Sequence, residues 1–146
     1  MRYKRKKGKR ISKAKKYHFN GVDYKSGLEF KMAKLLTENK IPFEYEPTKF
    51  NLQEGFVSER DCHERQSNGK GEFKNRGNKK ILPITYTPDF IGEGFVIETK
   101  GYANESFPIK WKMFKKYLHD KGIKLTLFKP QTQKECEEVI QILKQF

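Results

Sequence analysis

Long hydrophobic runs are missing from this chain, and acid is scarce beside base. No stretch is apolar for long enough to cross a bilayer as a helix, so a helical membrane protein is not expected. The basic N-terminus is followed by no hydrophobic core and does not read as a secretory signal. Cysteine is limited to Cys62 and Cys136, which lie far apart, give no disulfide framework and fit a reducing cytoplasm. Cys62 and His63 adjoin, but no second ligand pair follows at zinc spacing, so no zinc site is expected. A glycine-rich phosphate loop and a nucleophile elbow are both absent. His18, His63 and His119 are scattered and suggest no Ser/His/Asp arrangement. Internal repeats are absent too.

What the chain does have is positive charge. Its 146 residues carry 32 Lys and Arg against 18 Asp and Glu, a formal net charge of +14. Such a balance points to a polyanionic partner, most simply nucleic acid. Residues 1–16 hold ten of the basic residues and no acid, and read as a flexible arm that cannot fold alone. In it Arg2, Lys4, Arg5, Lys6, Lys7, Lys9 and Arg10 are expected to grip phosphates through counterion release. The length of the remainder, residues 17–146, suits one domain with a modest, aromatic-rich core.

Within that domain the patterning predicts helices and strands in a definite order. Tyr17 to Lys25 alternates around Asn20-Gly21, as in a short hairpin. Ser26 and Glu29 form a capping box for a helix with Leu28, Met32, Leu35 and Leu36 at helical spacing, fading near Asn39. Pro42 to Glu46 alternates as a strand, with Phe43 and Tyr45 toward the core and Glu44 and Glu46 away from it. Residues 51–80 are polar and read as a long insertion at the sheet edge, able to touch DNA or a second subunit; Lys70, Lys74, Arg76, Lys79 and Lys80 cluster in its second half. Phe50 to Leu52 and Phe56-Val57 are candidate strands inside it. Ser106 and Pro108 suit the start of a second helix with Ile109, Met113, Phe114, Tyr117 and Leu118 as its apolar stripe, ended by Gly122. Its lysines, Lys110 and Lys112 among them, are expected near the active edge and available to phosphates. Ile123 to Phe128 is an apolar strand. Thr132 and Glu135 box the start of a closing helix through Cys136, Val139, Ile140 and Leu143. A sheet covered by helices, an α/β fold, accounts for this order.

The chemistry concentrates in Thr85 to Lys100. Two apolar runs flank Gly92-Glu93-Gly94, as in a β-hairpin. Alternation puts Glu98 and Lys100 on one face and Phe95, Ile97 and Thr99 on the other. Pairing around the turn brings Asp89 near Glu98. Two adjacent carboxylates repel, and a hard divalent cation such as Mg²⁺ relieves the repulsion while accepting phosphate oxygens and water. A lysine beside them can meet a scissile phosphate or position the attacking water. Glu29 has two open roles on local grounds, as a cap or as a carboxylate assisting the metal.

Pro88-Asp89, a nine-residue step, then Glu98-Thr99-Lys100 resembles the PD-(D/E)xK nuclease signature. Joined in order with Ser26-Gly27-Leu28-Glu29, Phe43-Glu44-Tyr45-Glu46, Tyr86-Thr87-Pro88-Asp89-Phe90 and Phe95 to Gly101, it resembles phage endonuclease I, the Holliday-junction resolvases of T-odd coliphages. The resemblance implies a restriction-endonuclease-like core, αβββαβ, with a central mixed sheet flanked by helices. It implies that Asp89 and Glu98 are metal ligands for Mg²⁺, with Mn²⁺ able to substitute, and that Lys100 is the catalytic lysine. Glu29 becomes a further catalytic carboxylate, and Glu44 a possible additional acidic site residue. It also implies a homodimer, branched DNA as substrate, and a phage protein at work in the host cytoplasm. The segment between the first strand and the hairpin is much longer here than in that family. Two alternatives stay open: a nicking or site-specific endonuclease of the same core, and a basic DNA-binding module without catalysis.

Overall fold

The computed structural model describes residues 17–101 and 104–146; the basic arm, with Arg2 to Arg10, lies outside them. Among the described residues no helix is long and apolar enough to cross a membrane. The fold is mixed α/β, with three helices and several small sheets among the described residues.

Strands β1 (Tyr17–Phe19) and β2 (Val22–Tyr24) make the expected hairpin around Asn20-Gly21. It lies against helix α1 (Gly27–Glu38) through Tyr17 and Phe19, whose rings sit 5.7 and 5.9 Å from that of Phe30. Ser26 Oγ accepts from the Glu29 amide at 3.1 Å, so the N-cap forms as read. Glu29's own carboxylate does not return to the cap residue, however; it accepts from the Lys25 amide at 3.2 Å. Asn39 caps the other end.

Strand β3 (Glu44–Tyr45) opens the central sheet. The chain then leaves it as β4 (Phe50–Gln53), β5 (Phe56–Val57), β6 (His63–Glu64), β7 (Lys74–Asn75), β8 (Lys80–Ile81) and β9 (Ile84–Tyr86). These pair antiparallel as β4–β9, β5–β8 and β6–β7, one pair nested beyond another. The polar insertion is therefore a two-stranded arm rather than an open loop. Only its base, through Phe50, Leu52 and Tyr86, joins an apolar cluster.

Strands β10 (Phe90–Gly92) and β11 (Phe95–Ile97) follow, joined by Glu93-Gly94 with Gly94 at φ +77°. Helix α2 (Phe107–Asp120) then crosses over to β12 (Thr126–Phe128), parallel to β11, and α3 (Gln133–Leu143) closes the fold. The four-stranded sheet runs β12–β11–β10–β3, parallel at its first pair and antiparallel at the others.

Both faces of β11 are buried. Phe95 and Ile97 join Met32, Leu36, Phe90, Val139 and Ile140 under α1 and α3. Val96 joins Trp111, Phe114 and Leu118 under α2. Each such side chain contributes about 1.5–3 kcal/mol by leaving water. The α2 stripe differs from the one expected: Phe107 and Trp111 are buried and Ile109 is 63% exposed. Ser106 makes no side-chain cap either, and Asn104 Oδ1 accepts from the Phe107 amide at 2.9 Å instead. The α3 capping box and its four buried residues are as read.

Candidate active site

The turn after β10 fixes what lies opposite what. Gly92 faces Phe95 and Phe90 faces Ile97 across the hairpin. The next step along that register sets Asp89 against Glu98, just where both strands end. Their backbones are pinned from outside. The Asp89 carbonyl accepts from the Glu46 amide at 2.8 Å, while the Glu98 and Lys100 amides donate to the carbonyls of Phe128 and Pro130, both at 2.9 Å.

Asp89 and Glu98 are 8% and 5% exposed. Asp89 Oδ2 accepts twice from Thr99, from its amide at 2.8 Å and its Oγ1 at 2.7 Å. Glu98 Oε2 accepts from the Tyr86 hydroxyl at 2.6 Å, and its Oε1 lies 3.6 Å from Lys100 Nζ. That ammonium also sits 4.3 Å above the centre of the Phe107 ring.

Burial pushes the Asp89 carboxyl up from the usual range to about 7, with the Glu98 charge adding to it and the Thr99 bonds opposing it. Burial raises Glu98 as well, against the pull of Tyr86 and Lys100. The Tyr86 phenol is held above its ordinary range by burial and by the carboxylate it serves.

Glu29 is buried beside this pair. Its Oε2 accepts from the Tyr45 hydroxyl at 2.5 Å, and its charge reaches Asp89. Lys25 pairs with Glu46 and feels Glu29 and Asp89, so its ammonium is held above the ordinary lysine range, chiefly by the Glu46 hydrogen bond. Glu44 is not brought to this group. It is exposed and lies opposite Ile91, in a shallow cleft with Pro42, Phe43 and Glu93.

A cleft of about 300 Å³ opens over Glu98 and Lys100, lined also by Thr85, Thr87, Asn104 and Lys110. Lys110 thus stands at the site. Lys112 does not; it lines a separate hollow of about 610 Å³ between β4 and α2, with Asn51, Tyr117 and Lys121.

Among the described residues no three His, Cys, Asp or Glu side chains form a group that could hold a metal ion. Asp89 and Glu98 alone suit a hard cation that takes two carboxylates and fills its other positions with water and phosphate oxygens. Their mutual repulsion in a buried setting is what such an ion removes.

Five residues of this neighbourhood were given no role at the site by sequence patterning: Tyr86, Thr99, Tyr45, Glu46 and Lys25. Alternation sets Thr99 on the face opposite Glu98, and no pattern marks it as the partner of Asp89, which both its amide and its Oγ1 reach. Tyr86 precedes the Pro88-Asp89 pair at a strand end, a signal too common to stand out.

Compared with known proteins, the chain matches no family model, no curated protein and no solved structure, so its likeness to phage endonuclease I rests on its motifs.

Proposed function

We propose that the protein is a metal-dependent DNA endonuclease that hydrolyses phosphodiester bonds in branched DNA. The observation that carries this reading is the buried Asp89–Glu98 pair, with Glu98 and Lys100 lining an open, polar cleft. Burial first, and the Glu98 charge second, hold the Asp89 carboxyl up at about 7. Perturbed carboxyls of this kind concentrate at functional sites.

In this reading Asp89 and Glu98 would hold Mg²⁺, or Mn²⁺ in its place, and the ion would supply a more acidic water and neutralise charge on the phosphate. Thr99 and Tyr86 hold one oxygen of each carboxylate; Asp89 Oδ1 and Glu98 Oε1, the latter shared with Lys100, would serve the ion. Lys100, steered by Glu98 and the Phe107 ring, meets the phosphate or the attacking water. Glu29, held by the Tyr45 hydroxyl, adds negative charge beside Asp89. Lys110, at the cleft edge, and the basic residues 1–16 bind backbone phosphates. The order α1, β3, β10, β11, α2, β12 supports a restriction-endonuclease-like core. Cutting both strands of a junction calls for two such sites, which a homodimer supplies.

The test is to incubate the protein with a labelled four-way junction and a matched linear duplex, in Mg²⁺ and in EDTA, beside Lys100→Ala. Paired Mg²⁺-dependent cuts in the junction alone, lost in the variant, support the resolvase. Cutting of both substrates moves the reading to a nicking or site-specific nuclease. Binding without cutting under Mg²⁺ or Mn²⁺ leaves a DNA-binding module.

A further inference from the structure

The arm formed by β4 to β9 has no core of its own. Beyond its base, Phe56, Val57, Phe73 and Leu82 are all more than half exposed. An isolated two-stranded ribbon is marginal in water. This one is held instead by polar clamps on its backbone. Asn75 Oδ1 accepts from the Cys62 and Gly77 amides at 3.1 and 3.0 Å. The Arg76 guanidinium donates to the carbonyls of Glu64 and Glu72 at 3.1 and 3.0 Å. Arg76 is thus committed to the arm's shape, and Lys79 is paired with Glu64 at 3.2 Å. Of the remaining cations, Lys70, Lys74 and Lys80 in the second half of the arm are exposed and make no ion pair among the described residues.

We propose that this arm is a DNA-binding ribbon that enters the major groove of a duplex arm of the substrate, with Lys70, Lys74 and Lys80 on the flanking phosphates. A shaped, basic, two-stranded ribbon is the β-element that the major groove of B-DNA admits, while the deep, narrow groove of duplex RNA does not. Apolar alternation, which a strand buried against a protein partner needs, is absent from residues 58–80. The arm's base also leads straight to the cleft, since Thr85 and Tyr86 belong to both. A groove contact would thereby set which phosphate meets Lys100. The inference rests on the DNA-directed reading of the chain and makes it more specific.

The full chain and its Lys70→Ala/Lys74→Ala/Lys80→Ala variant, in EDTA so that nothing is cut, are titrated into labelled DNA and RNA duplexes of equal length over a range of salt. The expected result is weaker binding of the variant to DNA by roughly tenfold or more, and a log–log salt slope shallower by about 2–3. Binding to RNA should change much less. Equal losses on both duplexes, or none on DNA, would overturn the proposal. So would a variant that loses self-association by sedimentation and binds DNA as before, which would make the arm a contact between copies. All three lysines are exposed, and an unchanged thermal melt confirms the fold. If the wild type binds through the arm but cuts nothing in Mg²⁺, the nuclease reading falls and the arm stands. If it cuts, and the triple variant binds DNA like the wild type, the arm falls alone.

Discussion

At the scale of single residues, the site is held at a cost to folding. The Asp89 carboxyl has an ordinary value of 3.8 and a folded value of about 7. Between those values the folded protein keeps a proton that the unfolded chain has lost. The stability linked to that proton is full below the lower value and is lost as pH rises through the upper one. The loss is on the order of a few kcal/mol. The metal-free protein should therefore melt at lower temperature at pH 8 than at pH 5, with a smaller drop in Asp89→Asn. At pH 8 Mg²⁺ should raise the wild-type melting temperature. A curve that is the same in both proteins would contradict this placement of Asp89. Tyr86→Phe keeps the ring contacts with Trp111 and Phe114 but removes the 2.6 Å bond to Glu98. Losing a hydrogen-bond partner behind a metal-binding carboxylate costs roughly 10–100-fold in activity or metal affinity. Cleavage assayed against Mg²⁺ concentration should show that loss with little change in melting temperature; unchanged cleavage would make Tyr86 a packing residue only.

At the scale of elements, the hairpin depends on one close approach. A Cβ built on Gly92 would lie 2.1 Å from Cζ of Phe95, across the turn that sets Asp89 against Glu98. Gly92→Ala should destabilise the fold by about 1–3 kcal/mol, read by chemical denaturation, and weaken cleavage as the register yields. Full stability would show that Phe95 has room to move. That hairpin was legible in the sequence because a short turn fixes register, and register fixes which side chains meet. Helices α1 and α3 were legible for a similar reason: Ser26 and Thr132 mark their starts, and Met32, Leu36, Val139 and Ile140 keep helical spacing. The α2 stripe was misjudged because Trp111 sits between lysines, while Ile109 looked core-like and stays in water. The arm was hidden because its pairs beyond the base are only two residues long and the β6–β7 pair is polar throughout. Side-chain clamps from Asn75 and Arg76 hold it, and those leave no periodic trace.

At the scale of the whole molecule, charge dominates. Ten of the 32 basic residues lie in residues 1–16, and more lie on α2 and the arm. DNA affinity should fall steeply with salt, and removing residues 1–16 should make the log–log slope shallower by up to about 9 if every cation meets a phosphate. An unchanged slope would mean that this segment does not engage DNA. Affinity and chemistry separate cleanly in this account, because the cations bind while Asp89 and Glu98 cut. The most direct measurement is therefore the rate of junction cleavage by wild type and Glu98→Gln as Mg²⁺ is titrated from EDTA upward, with DNA binding followed in parallel. The account predicts a wild-type rate that rises from zero and saturates, and a variant that still binds DNA but cuts at least several hundredfold more slowly, as loss of one of two metal ligands requires. Wild-type cleavage undiminished in EDTA, or a variant that cuts like the wild type, would contradict it.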